Sequence, residues 1–81
     1  MIYSVYILYS DSLGQFYTGS SANFVQRFAD HNNGLSKHTR KGRPWIIKMV
    51  KEFIDKKSAL QLENKIKKRG AKRYLEDLNL L

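Results

Sequence analysis

Residues 2–19 read IYSVYILYSDSLGQFYTG, and this stretch determines how the fold begins. Its first part, residues 2–9, is rich in β-branched and aromatic side chains, which favour a β-strand. Residues 11–14 supply turn-forming side chains, and the chain returns as a second strand from Gln15 to Gly19. The pattern predicts a β-hairpin in which the triplets at 4–6 and 17–19 face each other, although the residues alone do not set the register.

A helix is predicted directly after the hairpin, from about Ala22 to Asn32. Ser20 and Ser21 are both suitable N-caps for it, since their hydroxyl groups can accept hydrogen bonds from the first free backbone N–H groups. The Asn33-Gly34 pair provides the stop. Spacings of four residues divide the helix into two faces. The apolar face comprises Phe24, Val25, Phe28 and Ala29, and the polar face comprises Asn23, Arg27 and His31.

The middle of the chain combines a basic segment with a third strand. Residues 35–43 carry many positive charges without apolar periodicity, and we interpret them as a mobile loop. A strand from Trp45 to Phe53 follows. Its apolar face is predicted to carry Trp45, Ile47, Met49 and Phe53, in alternation with a more polar face.

The last third of the chain predicts two helices. A long helix begins at Asp55 or Ser58, both good N-caps, and ends near Arg69 because Gly70 is a helix stop. A short final helix spans about residues 72–79. The element order is therefore ββαβαα. It predicts an α/β (α+β) fold with a three-stranded antiparallel or mixed sheet flanked by helices.

The composition describes a small and strongly basic domain. A chain of 81 residues is too short for a second core, so residues 1–81 are predicted to form one domain. Lys and Arg outnumber Asp and Glu by 15 to 7, which gives a formal net charge of +8. This imbalance favours a polyanionic partner, with nucleic acid ahead of an acidic membrane surface.

Several classes of protein are excluded or disfavoured. The chain has no cysteine, which rules out disulfides and thiolate metal sites. Its longest apolar runs are too short to span a bilayer. The N-terminus lacks the basic start and long apolar stretch of a signal peptide. We therefore expect a soluble, cytoplasmic protein with no membrane association.

Five side chains in this framework match the needs of phosphodiester hydrolysis. Cleavage requires an activated nucleophile, positive charge at the phosphoryl oxygens and help for the leaving alkoxide. Arg27 can supply permanent charge, and Glu63 is a hard oxygen ligand for Mg²⁺ or a similar ion. Tyr6, Tyr17 or His31 can accept the proton of the attacking water, but a tyrosine does so at neutral pH only when nearby cations lower its pKa. Taken singly, each of the five also has an ordinary structural role.

The order and spacing of these residues resemble the GIY-YIG endonuclease superfamily. The matching features are Ser4-Val5-Tyr6, Tyr17-Thr18-Gly19, Asn23, Arg27, His31, Glu63, the basic run at 37–44 and the helix around 59–67. The last two features are similar to the small stand-alone, YhbQ-like branch, which is related to the Slx-type structure-specific nucleases. Ser4, Thr18 and Ser20 depart from the residues that the family pattern, or some of its branches, places there.

The resemblance implies a DNA endonuclease that uses one divalent ion, Mg²⁺ or Mn²⁺. Glu63 would bind the ion, Arg27 would hold the scissile phosphate, and Tyr6 or Tyr17 would assist the nucleophile. His31 matches a residue that some branches use as a base or phosphate contact. A preference for branched or damaged DNA, and a link to DNA repair or recombination, belong to the same expectation.

Basic side chains outside these five are expected to contact the DNA backbone without sequence specificity. They are Lys37, His38, Arg40, Lys41, Arg43, Lys67 and Lys68. A protein partner that targets the domain is a further expectation. Two other functions stay open. One is a non-catalytic nucleic-acid-binding module that keeps the fold, and the other is an RNA-associated basic protein.

Overall fold

The computed structural model describes residues 1–81, which form an antiparallel three-stranded sheet with helices on both of its faces. The strands are β1 (Tyr3–Ser10), β2 (Gln15–Ser21) and β3 (Trp45–Phe53). The helices are α1 (Phe24–Asn32), α2 (Lys56–Arg69) and α3 (Ala71–Asp77), with a 3-10 turn at Arg40–Gly42. The strand order is β2-β1-β3, so β2 is an edge strand. The predicted α+β class and the order ββαβαα are confirmed.

The central strand β1 is covered on both faces, which explains its nearly continuous apolar sequence. Val5 and Ile7 pack in one cluster with Ala59 and Ile66 of α2 and Leu75 of α3. On the opposite face, a second cluster joins Tyr6, Leu8 and Trp45, with Tyr17, Phe24 and Phe28 packed against it. The helix α2 therefore covers one face of the sheet, and α1 covers the other.

The third strand keeps its predicted bounds but not its predicted apolar face. Ile47 pairs with Leu8, whereas Met49 pairs with Ile7, so the register shifts by one residue and Lys48 has no partner. Such a β-bulge moves the side chains on either side of it to opposite faces of the sheet. Trp45 lies in the cluster beside α1, Met49 and Phe53 pack beside α2, and Ile47 is 43% exposed.

The first helix begins at Phe24, two residues later than predicted, and its faces differ from the predicted ones. Its N-cap is Asn23, whose side-chain oxygen accepts a hydrogen bond from the backbone N–H of Gln26. Ser20 and Ser21, the predicted caps, belong to β2 instead. Val25 was expected in the core but is 80% exposed. The second helix has the predicted Asp55 cap, which accepts from the backbone N–H of Ser58.

The basic segment 35–43, interpreted from the sequence as a mobile loop, is held by specific contacts. Thr39 and Gly42 within it are buried. The carbonyl oxygen of Thr39 accepts a hydrogen bond from Nε1 of Trp45 at 2.7 Å. Gly42 packs under the same indole, because a Cβ built on it would lie 2.3 Å from the ring. Trp45 thus fixes this segment to the start of β3.

None of the three helices has the length and apolar character needed to cross a bilayer.

Candidate active site at the edge of the sheet

The hairpin places both tyrosines on the face of the sheet that α1 covers. Tyr6 pairs directly with Gly19, and Leu8 pairs with Tyr17. The predicted triplets therefore overlap only at the Tyr6–Gly19 pair, with an offset of two residues. Since Tyr6 and Tyr17 are diagonal neighbours on one face, their rings meet with centroids 6.4 Å apart.

Gly19 is required because the Tyr6 ring lies directly against its backbone. A Cβ at position 19 would be 2.7 Å from the Tyr6 hydroxyl oxygen and 2.8 Å from Cζ. Tyr6 is only 1% exposed, so its ring has no space into which it can move. Glycine at this position allows the strand pair and the buried phenol to coexist.

Replacing Gly19 with Ala is expected to lower the free energy of unfolding by about 1–3 kcal/mol, as for other overpacked interiors. Urea denaturation of the wild type and the variant measures this change. In a Tyr6→Leu background the same substitution should cost less, because the ring that it strikes is absent. An equal loss of stability in the wild-type and Tyr6→Leu backgrounds would show that the added methyl group does not clash with the Tyr6 ring.

His31 is fully buried, which corrects its placement on a polar helix face. Its Nε2 lies 3.2 Å from the Tyr6 hydroxyl, and its Nδ1 lies 2.8 Å from Oγ1 of Thr39. A neutral imidazole satisfies both contacts by accepting at one nitrogen and donating at the other. Burial lowers the pKa of His31, the positive charge of Arg27 lowers it further, and Asp30 opposes both. The ring is therefore neutral at neutral pH, with both nitrogens in use.

This burial predicts a pH dependence of stability. Because the pKa of His31 is below its ordinary 6.5 in the folded state, the unfolded chain binds a proton that the folded chain does not. The resulting stability is present above about pH 6.5 and is lost as the pH falls towards the lowered pKa, by at most about 1.4 kcal/mol per pH unit. Urea denaturation between about pH 7.5 and 5.5 should show this slope.

Matched histidine variants provide the control for the pH experiment. His38 is exposed in the basic segment, so His38→Gln should keep the slope. His31→Gln should lower stability and flatten the dependence. A slope that is lost in His38→Gln but kept in His31→Gln would contradict the assignment to His31. Glu63 and Asp77 do not interfere, because their pKa values lie below 4.5 and 3.8 respectively and both stay ionised over this range.

Tyr6 is held in a form unsuited to accepting a proton. Burial raises its pKa, and the nearby Tyr17 and Glu63 add to this, while Arg27 opposes them. Arg27 does lower the pKa of Tyr6, as expected of a neighbouring cation, but burial outweighs this effect and the pKa of Tyr6 stays above its ordinary value. Its hydroxyl is also engaged by His31.

The Tyr17 hydroxyl is free, and the Arg27 guanidinium lies near the Tyr6 hydroxyl without a carboxylate partner. The Tyr17 ring is half-buried, with centroids 5.1 Å from His31 and 6.1 Å from Trp45, yet its hydroxyl has no hydrogen-bond partner within the protein. Arg27 is exposed and forms no ion pair with a carboxylate. Its neighbour Asp30 binds the side-chain amide of Gln26 instead, at 2.9 Å. The Tyr17 hydroxyl and the positive charge of Arg27 are thus available to a ligand.

Glu63 lies on the opposite side of β2 and is held by two polar groups. The Ser20 hydroxyl donates to Oε1 at 2.5 Å, and Nζ of Lys67 lies 2.7 Å from Oε2. Burial by itself would raise the pKa of Glu63, but the hydrogen bonds from Lys67 and Ser20 and the charge of Lys67 outweigh it and lower the pKa. The carboxylate is therefore ionised at neutral pH. Its side chain is 13% exposed, against 54% for Lys67.

The edge strand β2 lies between Glu63 on one side and Tyr17 and Arg27 on the other. Ser20 pairs with Val5, whose side chain faces α2, while Tyr17 faces α1, because neighbouring strand residues point to opposite sides. The charge of Glu63 nevertheless acts on the pKa of Tyr6. A substrate at this edge could therefore meet the carboxylate from one face of the sheet, and Tyr17 and Arg27 from the other.

The basic side chains predicted to contact nucleic acid occupy three places. Arg40, Lys41 and Arg43 line a groove of about 640 Å³, with Lys37 and His38 exposed in the same segment. Arg40 and Arg43 also hold the segment itself, because their Nε groups donate to the carbonyls of Gly34 and Arg40 respectively. Lys68 lines a separate groove on α2, whereas Lys67 is next to Glu63.

Two residues that help to form the site, Ser20 and Thr39, were not predicted from the sequence to belong to it. The sequence marks Ser20 as a helix N-cap candidate and as a departure from the family pattern, and Thr39 is one residue in a basic run. Their roles depend on contacts across 43 and 8 positions of the chain, which no local spacing reveals. An uncharged Thr39 between basic residues was the only available signal.

Comparison with known proteins identifies the class of this fold and site. Residues 2–75 match the family described as the GIY-YIG catalytic domain. The chain therefore belongs to the GIY-YIG nuclease family, as the sequence predicted.

Individual relatives agree with this membership. The chain is similar to the solution structure of the UPF0213 protein BH0048 from Bacillus halodurans, with 31% identity, a TM-score of 0.60, and coverage of 96% of this chain and 85% of the other. This likeness supports the expected stand-alone branch. Two curated relatives, from Leishmania major and Leishmania infantum, are called structure-specific endonuclease subunit SLX1 homologs. They are 42% and 40% identical over 55 residues, which are 62% of this chain but only 8% of either relative.

Proposed function

We propose that the protein is a metal-dependent endonuclease that hydrolyses phosphodiester bonds in DNA, with branched or damaged DNA of repair or recombination as its substrate. The observation that carries the proposal is the edge of β2, where the ionised Glu63 stands across the strand from the free hydroxyl of Tyr17 and the guanidinium of Arg27. Membership of a nuclease family supports the reaction, and the description of the curated relatives as structure-specific endonuclease subunits supports the substrate.

Glu63 fits the role of metal ligand. Nucleases of this family generally use a divalent metal. No group of three or more His, Cys, Asp or Glu side chains converges here, so Glu63 would bind one Mg²⁺ or Mn²⁺ with water and phosphate oxygens as the remaining ligands. Its ionised oxygens suit such a hard cation, and the half-exposed Lys67 can leave Oε2. When bound, the ion stabilises charge on the phosphoryl oxygens and the leaving alkoxide.

Arg27 and Tyr17 supply the remaining chemistry. The guanidinium of Arg27 would hold the scissile phosphate by charge-assisted hydrogen bonds, since no carboxylate competes for it. The Tyr17 oxygen would accept the proton of the attacking water after releasing its own proton to solvent, because no protein group engages this hydroxyl. These roles follow from the free Tyr17 hydroxyl and from the absence of a carboxylate partner at Arg27.

Tyr6 and His31 would act as positioning residues. Tyr6 orients Tyr17 through the ring contact and is fixed in turn by His31. His31 also binds Thr39, which connects the site to the basic segment. Burial of both side chains keeps them away from substrate.

A cleavage assay tests the proposed function. Supercoiled plasmid, single-stranded DNA and branched DNA are incubated with the protein in Mg²⁺, Mn²⁺ or EDTA. Cutting with either ion and none in EDTA is the expected result, with branched DNA cut fastest. Absence of cutting on every substrate, with DNA binding retained, would favour the alternative of a non-catalytic binding module. Faster cutting of RNA than of DNA would contradict the choice of substrate.

The full engagement of Glu63 is the observation that favours the binding module. Ser20 and Lys67 satisfy both carboxylate oxygens, as they would in a purely structural helix contact. The free Tyr17 hydroxyl has no such structural use, and Arg27 has no carboxylate partner, so both favour the nuclease.

A further inference from the structure

A further basic surface continues from the candidate site along the edge of β2. It is a groove of about 710 Å³ between the edge strand and the junction of α2 with α3. Its residues include Phe16 and Tyr17 of β2, Lys67 and Arg69 of α2, and Lys72 and Arg73 of α3. Lys72 and Arg73 are not among the residues expected from the sequence to contact nucleic acid.

The charges of this groove are unbalanced. No carboxylate lines it. Arg69 is bound to Asp77 by two hydrogen bonds of 2.9 and 3.0 Å. It therefore links α2 to α3, and its charge is largely neutralised by that carboxylate. Lys72 and Arg73 are exposed and form no ion pair. Two free cations therefore face solvent within a concave surface, an arrangement that attracts a polyanion.

The floor of the groove is aromatic as well as basic. Phe16 is half-buried against Tyr9, with ring centroids 4.8 Å apart, and contributes its remaining surface to the groove. Beside it, the unpaired edge of β2 presents backbone N–H groups. Basic grooves with aromatic side chains are the means by which proteins bind single-stranded nucleic acid, because the cations contact phosphates while bases stack on the rings.

The groove is continuous with the candidate site through two residues. Tyr17 lines the groove and also packs against His31 and Tyr6, while Lys67 lines it and is paired with Glu63. We infer that the groove binds a single-stranded segment of DNA adjacent to the cleaved bond, so that DNA with a single-stranded arm is the preferred substrate. The position of the bound segment next to the cleaved bond rests on the proposed function. The binding of single-stranded DNA rests on the groove alone.

Binding measured in EDTA separates the groove from catalysis. Fluorescence anisotropy is recorded for a duplex, for the same duplex with a single-stranded arm of about 12 thymidines, and for that arm alone, a length within the range that single-strand-binding folds cover. The double variant Lys72→Gln/Arg73→Gln should weaken binding of the arm and the armed duplex about tenfold or more, and of the plain duplex much less. The logarithmic salt slope for the arm should fall by about 1.4, the value for two lost phosphate contacts.

Two further variants show whether the loss of arm binding is specific to the groove. Lys56→Gln/Lys57→Gln removes the same charge from exposed residues in the first turn of α2 and should weaken all three DNAs equally. Phe16→Leu keeps an apolar side chain against Tyr9 but removes the stacking surface, and should weaken the arm about fivefold or more. An equal loss on plain and armed duplex in the Lys72/Arg73 variant, or tighter binding of an RNA arm than of a DNA arm, would overturn the inference.

The outcomes also distinguish the inference from the proposed function. Selective loss of arm binding in a protein that cuts no DNA would leave the groove established and the nuclease rejected. Metal-dependent cutting with no selective loss in the Lys72/Arg73 variant would leave the nuclease established and reject the groove.

Discussion

Replacing Glu63 with Gln is expected to reduce the rate of DNA cleavage about a thousandfold, because a bound divalent ion supplies several kcal/mol of transition-state stabilisation and each 1.4 kcal/mol is about tenfold in rate. Gln has nearly the same shape as Glu and can still accept the hydrogen bond of Ser20. It lacks the charge that a hard cation needs. Single-turnover rates with saturating branched DNA in Mg²⁺ measure the effect.

DNA binding should survive the Glu63→Gln substitution. Removing a negative charge beside a polyanion cannot weaken binding electrostatically, so the affinity in EDTA should be unchanged or slightly higher. Stability should fall little, since an i,i+4 pair such as Glu63–Lys67 is worth about 0.3–0.5 kcal/mol. Cutting at the wild-type rate would remove Glu63 from the reaction and favour the structural interpretation.

Glu52→Gln provides the matched control. It makes the same change in charge at an exposed residue of β3, the strand at the other edge of the sheet. Its cleavage rate should remain close to that of the wild type. A comparable loss in both variants would show that net charge, and not a ligand at position 63, controls the rate.

The order of the elements was predictable because each signal for it is local. The hairpin turn, the Asp55 cap and the bounds of β3 all follow from residues within a few positions of one another. The register of the hairpin and the bulge at Lys48 were not predictable, since they depend on which side chains meet across strands.

The burial of His31 shows why the set of buried residues at the site could not be predicted from the sequence. Phe24, Phe28 and His31 follow the i, i+4, i+7 spacing of a buried helix stripe, and His31 belongs to it despite its polarity. The apolar Val25 suggested a different stripe. Only the partners Tyr6 and Thr39, at distant positions, make the burial of an imidazole favourable.

The two tyrosines, which the sequence left equivalent, are expected to respond in opposite ways to loss of their hydroxyl groups. Tyr17→Phe removes a hydroxyl with no partner in the protein, so stability should change by less than about 0.5 kcal/mol. The cleavage rate should fall about a hundredfold or more, which is the usual contribution of a general base.

Tyr6→Phe should show the reverse. It leaves Nε2 of the buried His31 without its partner, which should cost about 1–3 kcal/mol of stability. The cleavage rate of the folded variant should fall less than that of Tyr17→Phe if, as we propose, Tyr6 only positions Tyr17. Single-turnover rates and urea denaturation of both variants measure the pattern. A Tyr6→Phe protein with normal stability and no cleavage would transfer the role of base to Tyr6, despite the raised pKa that burial imposes on it.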